Sequence, residues 1–186
     1  IMLGESSASV AALTTALGRE LDRAQQDPAF AALALRLPDL NELILSSKAP
    51  DPERLFQARE DLRRAIASAL RERLEAIART KGETPFSPGA DAAGRRALKS
   101  AALDLLSALG PSQTLVDAYD NAQSMTEAVA ALEALGAAES PAFDEALSKF
   151  YARWQANPLV IDTWFAVQAS SPRTDAAAFA SAASPA

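Results

Sequence analysis

The chain of 186 residues contains no histidine and no cysteine. Zinc sites are built from imidazole, thiolate and carboxylate donors, and the metallopeptidase arrangement needs two histidines one helical turn apart. Neither donor type beyond carboxylate exists here. The same absence removes the imidazole base that activates a serine nucleophile, and no G-x-S-x-G segment is present. Disulfides are excluded, as expected of a chain kept in a reducing compartment. Only seven glycines occur, so there is no glycine-rich phosphate cradle and there are few hairpin signals. No run approaches the ~20 consecutive apolar residues that cross a bilayer. The first residues also lack the basic-then-apolar order of a signal peptide.

What remains is alanine, leucine and charge. Hydrophobic residues make up 49% of the chain while aromatics make up 6%, so the apolar content comes from strong helix formers. The spacing predicts helix after helix. Ser6 or Ser7 caps a helix over residues 8–26 with Val10, Leu13, Leu17 and Leu21 on one stripe. Asp27-Pro28 opens a short helix to about Leu37, and Pro38 begins another through Leu45. Asp51-Pro52 starts the longest helix, to about Lys81, carrying Leu55, Leu62, Ile66, Leu70, Leu74 and Ile77. At about 1.5 Å per residue it would extend over about 40 Å. Gly82 stops it, and residues 83–89, with Pro85 and Pro88, form a loop. A helix over 90–109 ends at Gly110-Pro111, and a shorter one covers 114–121. Ser124-Met-Thr-Glu127 has capping-box spacing. Ser140-Pro141 precedes a helix with Phe143, Leu147, Phe150 and Trp154. Asn157-Pro158 caps the next, with Val160, Ile161, Trp164, Phe165 and Gln168 at helical spacing. Residues 174–186, nearly all Ala, Ser and Pro, read as a frayed or disordered tail.

Charge is unevenly spread. Residues 53–99 hold 11 Lys+Arg against 7 Asp+Glu within a chain of net charge −6. A nucleic-acid stripe would need aromatic platforms between these arginines, and none is interleaved. Acid–base neighbours at helical spacing, Glu60 with Arg63 and Arg64, Glu72 with Arg71 and Arg73, Glu75 with Arg79, make a solvated, ion-paired surface the better reading. No nucleic-acid partner and no membrane partner are expected.

Five of the eleven aromatics fall within Phe150-Tyr-Ala-Arg-Trp154-Gln-Ala-Asn157-Pro-Leu-Val-Ile-Asp162-Thr-Trp164-Phe165-Ala-Val-Gln-Ala-Ser-Ser171-Pro172. This corner resembles the C-terminal helical domain of bacterial aminopeptidase N, the zinc-dependent alanyl aminopeptidase family, with its Leu-Val-x-Asp-x-Trp-Phe-x-x-Gln-Ala segment. Three further segments follow the family in order. Asn121-Ala-Gln-Ser124-Met125-Thr126-Glu127 resembles its Asn-Met-Thr-Asp segment, with Ser124 for Asn and Glu127 for Asp. Arg96-Ala-Leu98-Lys-Ser100-Ala-Ala-Leu103 resembles its Arg-x-Leu-x-Asn-x-x-Leu helix, with Ser100 for Asn. Asp27-Pro28 through Leu37-Pro38 resembles a leucine- and proline-bearing helix pair.

The resemblance implies an all-α fold: an irregular right-handed α-solenoid of antiparallel helix pairs, HEAT- or armadillo-like and incomplete. Residues 1–173 are expected to form one helical domain, although the loop at 83–89 could mark a boundary. The chain begins with Ile1 rather than methionine, and a piece excised from a longer polypeptide is expected. The family implies a cytoplasmic, monomeric zinc enzyme that removes N-terminal residues from peptides; the zinc belongs to that parent, with no cofactor in this chain. The partners implied are the remaining domains of the same polypeptide and, for the parent, peptide substrates. The chain itself would be a non-catalytic wall of the active-site chamber and, as a fragment, would self-associate. A free-standing helical adaptor gripping a protein partner is the alternative; a ligand carrier would need inward polar residues that the pattern does not show.

No catalytic, cofactor-binding or metal-ligating residue is expected. Asp162, beside Trp164 and Phe165, reads as a carboxylate complementing the amides of a helix start rather than an acid–base group. Met125 and Tyr119 read as packing residues rather than the lining of a peptide channel. Glu53, Glu60 and Asp61 lie on an exposed helix and do not form the turning cage of oxygens that calcium takes.

Overall fold

The structure, a computed structural model, describes residues 3–171, and the tail expected over 174–186 lies outside them. Ten helices follow one another: α1 Leu3–Asp22, α2 Pro28–Leu35, α3 Leu40–Ser46, α4 Pro52–Ala69, α5 Arg71–Ala78, α6 Ala90–Ser107, α7 Gln113–Asp120, α8 Met125–Ala137, α9 Phe143–Trp154 and α10 Pro158–Ser170. No strand occurs among the described residues. The all-helical reading is borne out.

Local chemistry explains most helix starts. The Asp27 carboxylate accepts the Phe30 amide at 2.9 Å, and Pro28 occupies the first helical position, where its missing N–H costs nothing. Asp51 accepts the Arg54 amide ahead of Pro52 in the same way. The Asp39 carboxylate accepts the Glu42 amide and the Glu42 carboxylate accepts the Asp39 amide, a full capping box, so α3 starts at Leu40 rather than at Pro38 as the sequence reading had it. The α1 helix is already formed at Leu3, so Ser6 and Ser7 do not open it. It stops at Asp22, because Arg23, Ala24 and Gln26 donate to carbonyls three residues back and tighten the chain into a turn.

The single long helix expected over 52–81 is two. At Leu70 the backbone has φ −110° and ψ 11°, which separates α4 from α5 although the Leu70 amide still reaches the Ile66 carbonyl. Buried Ile66, Leu70 and Leu74 continue one apolar stripe through the break. The two halves face different neighbours: α4 packs on α1, α3 and α6, α5 on α6 and α7. No proline or glycine marks the site, so the bend follows from packing. Gly82 does not stop the helix, which ends at Ala78.

The centre of the molecule is α6, against which α2, α4, α5, α7 and α8 all pack. Beyond it α7 packs on α8, and α8 on α9 and α10, so neighbouring helices form pairs stacked along the chain. One contiguous cluster of buried apolar side chains runs from Leu17 to Val167. Ile66, Leu74, Leu115, Leu132, Leu135 and Phe150 are among its most enclosed large members. Gly94 sits where α2 crosses α6; a Cβ there would lie 3.1 Å from the Ala29 amide nitrogen. A polar tie joins α4 to α6: buried Arg63 reaches Glu60 at 2.7 Å, the Asp104 carboxylate at 2.8 Å and its carbonyl at 2.7 Å.

At the aromatic corner, Trp164 of α10 donates its indole N–H to the Leu147 carbonyl of α9 at 3.1 Å. Tyr151 and Phe165 flank it, with ring centroids 5.1 and 4.9 Å away. The Asn157 side chain makes no capping bond, contrary to expectation; its carbonyl accepts the Val160 and Ile161 amides.

Leu132→Ala should lower unfolding free energy by about 2–5 kcal/mol, because it empties a fully enclosed position. Leu45→Ala, at a side chain 86% exposed, should change it by less than about 0.5 kcal/mol. Urea denaturation followed by circular dichroism checks both.

Candidate functional site

Two opposite charges lie in the core between helices. Lys99 of α6 and Glu127 of α8 are 5% and 4% exposed, and Lys99 Nζ meets Glu127 Oε1 at 3.2 Å. Lys99 also donates to the Thr80 carbonyl at 2.9 Å. Ser124 caps α8 by accepting the Glu127 amide at 3.3 Å, as its spacing predicts. The returning bond differs from the expected box. Glu127 Oε2 takes the amide of Gln123, at 2.9 Å, and the other oxygen turns to Lys99. Gly82 leaves room for this carboxylate, since a Cβ on it would sit 2.4 Å from Glu127 Oε2. Four segments therefore meet at one pair: the end of α5, the Gly82 turn, α6 and the start of α8.

A cavity of about 680 Å³ opens above the pair, between α1, α5 and α6. Leu21, Ala24, Ile77 and Leu98 give it an apolar wall. Its carboxylates are each engaged: Asp22 with Arg73 at 3.1 Å, Glu83 with Arg95, and Glu127 with Lys99. Two further cations line it, Lys81 and Arg96. Arg96 is held by the Ser87 carbonyl at 2.9 Å and lies 4.6 Å from the centre of the Phe86 ring. The positive excess of residues 53–99 is thus gathered partly around a concavity. Elsewhere it is paired: Glu60 with Arg59 and Arg63, Asp61 with Arg64, Glu75 with Arg79. Arg73, expected to pair with Glu72, pairs across helices with Asp22 instead.

The other residues weighed from sequence lie apart from this cavity. Glu53 accepts a bond from Gln57 on the surface of α4. Asp162 is exposed and lies beyond the first turn of α10, which holds no acidic residue, so it is not placed at the helix start. Met125 is exposed beside the Ser124 cap, so it is not the packing residue expected from sequence. Tyr119 packs against the core, and burial raises its phenol pKa although Lys149 and Arg153 oppose the shift. Lys99 and Glu127 themselves were missed as a pair. The available signal was a charge on each apolar stripe: Lys99 precedes Ala102, Leu103 and Leu106, and Glu127 precedes Ala131 and Ala134.

The arrangement can hold charge, shape and a small volume. The chain has no imidazole or thiol, and among the described residues no group of three carboxylates converges. A stack of helix pairs braced by buried ion pairs defines a helical-repeat fold. A family model described as "Domain of unknown function (DUF3458_C) ARM repeats" matches residues 2–183, and the chain belongs to that family. It is 40% identical over 167 residues to aminopeptidase N of Caulobacter vibrioides, covering 87% of this chain and 19% of that protein. To aminopeptidase N of Escherichia coli it is 35% identical over 151 residues, 78% of this chain and 17% of that one. A solved structure, Legionella pneumophila aminopeptidase A in complex with aspartic acid, superposes with a TM-score of 0.66 at 26% identity, over 81% of this chain and 19% of that chain. The resemblance to aminopeptidase N read from the motifs is borne out, and the chain spans about one fifth of the length of these relatives.

Glu127→Ala should cost about 3–5 kcal/mol by stranding Lys99, whereas Lys99→Met with Glu127→Leu should recover most of that loss. A double-mutant cycle in urea measures the coupling. Further along α8, partial burial first and then Asp104 raise the Glu133 carboxyl pKa. A raised acid pKa means the folded state binds the extra proton, so Glu133 weakens the fold once pH rises through that folded value. Glu133→Gln should therefore raise the melting temperature slightly at pH 7, with the gain vanishing in acid below the unfolded glutamate pKa.

Proposed function

We propose that this chain is a non-catalytic helical domain of a zinc aminopeptidase that removes N-terminal residues from peptides. Its helices wall the active-site chamber and restrict peptide access. In this reading residues 1–173 act as one domain, a right-handed stack, and its partners are the other domains of the same polypeptide. The parent is a cytoplasmic monomer and takes peptides as substrates; neither nucleic acid nor membrane is a partner. The observation that carries the proposal is the match to aminopeptidase N of two bacteria over most of this chain, in a sequence devoid of imidazole and thiol. The zinc and the groups that activate water would come from outside this segment.

The outer surface supports a packed position. Leu159 is 79% exposed on α10, with Phe165 and Tyr151 beside the Trp164 ring also well exposed. Such side chains suit cover by neighbouring protein. No helix of the described residues is long and apolar enough to cross a membrane.

The chain alone should neither retain zinc through dialysis nor release arylamine from aminoacyl arylamides. Turnover that tracks the protein through purification would contradict the proposal. Sedimentation should show concentration-dependent self-association that Leu159→Glu reduces; a clean monomer at high concentration would count against an uncovered docking face. In the complete enzyme, loosening the wall with Glu127→Ala should raise cleavage of long peptides relative to a small arylamide. An unchanged ratio argues against a gating wall.

A further inference from the structure

The cavity above Lys99 and Glu127 combines an apolar wall with more positive charge than its own carboxylates balance. We infer that it binds a small organic anion, a carboxylate or phosphate monoester carried on a short apolar body. Its volume of about 680 Å³ suits a small molecule, since ligand pockets run to roughly 300–1,000 Å³. Each of Asp22, Glu83 and Glu127 is committed to a partner of its own. Arg96 and Lys81 are left with no lining carboxylate to neutralise them.

Arg96 is also preorganised. The Ser87 carbonyl and the Phe86 ring fix the guanidinium without cancelling its charge, so little side-chain freedom is lost on binding. At the floor, Lys99 spends two of its three ammonium protons, on Thr80 and Glu127. A cationic guest would meet like charge. A neutral apolar guest would desolvate the two surplus cations without pairing them. An amphipathic anion satisfies both the wall and the charge. The inference stands apart from the peptidase reading, because it rests only on this chain's own side chains.

The test is a titration of the isotopically labelled 186-residue chain, followed by two-dimensional amide NMR. Hexanoate and hexyl phosphate are the probes; hexylamine, hexanol and acetate are the comparisons. Hexanoate or hexyl phosphate should shift amides within 76–82 and 95–99 and saturate at millimolar concentration. The three comparison compounds should bind at least about tenfold more weakly. Binding of only one anion sustains the inference and tells carboxylate from phosphate as the source. The double variant Lys81→Gln/Arg96→Gln should weaken binding about fivefold or more. Ala76→Phe, at an exposed wall position, should block it while leaving the remaining spectrum in place. Equal binding of hexanol or hexylamine, shifts confined to other surfaces, or indifference to both variants would overturn the inference.

Discussion

The stack depends on a buried lysine held between a glutamate and a backbone carbonyl. Removing two charges from water costs several kcal/mol per ion before any return from their attraction. The cost is offset only if each charge finds further bonds, and here each does. Lys99 reaches the Thr80 carbonyl, and Glu127 takes the Gln123 amide. Those bonds come from different segments, so the pair is satisfied only when α6, α8 and the turn after α5 are in register. The Gly82 turn lies against the same carboxylate. A hydrophobic contact would tolerate sliding; this one fixes a register.

A related device occurs at the C-terminal end of α6. Arg63 crosses from α4 to Asp104 and Ser107, and it too sits on an otherwise apolar stripe. Alanine-rich helices pack closely but present smooth faces, with few large side chains to specify how one lies on the next. Buried cations supply that specification. The aromatic corner does so between α9 and α10, where the Trp164 indole bonds to a carbonyl within the neighbouring helix. A rigid stack is the property such bracing yields.

Much of this was legible because it is local. Asp27-Pro28, Asp51-Pro52 and Ser124 announce helix starts through chemistry confined to four residues, and the structure places helices at each. Gly110, expected past the last turn of α6, has φ 88°, a conformation that glycine adopts without strain. Readings that leaned on position alone failed. Asn157 caps through its carbonyl rather than its side chain, and Asp162 is too far along α10 to meet the free amides. The bend at Leu70 left no trace, since the apolar stripe runs unbroken across it.

By itself the sequence determined that the chain is helical and that it holds no zinc donor set, because propensity and the list of available ligands are properties of residues alone. It also carried the family resemblance, in motifs that span 7 to 23 positions. Only the tertiary structure decided that Lys99 and Glu127 are partners, that Gly82 makes room for a carboxylate, and that surplus cations gather over an apolar hollow. The first two facts join residues 28 and 45 positions apart in the chain, and which of several equivalent faces meet is settled by packing of the whole stack.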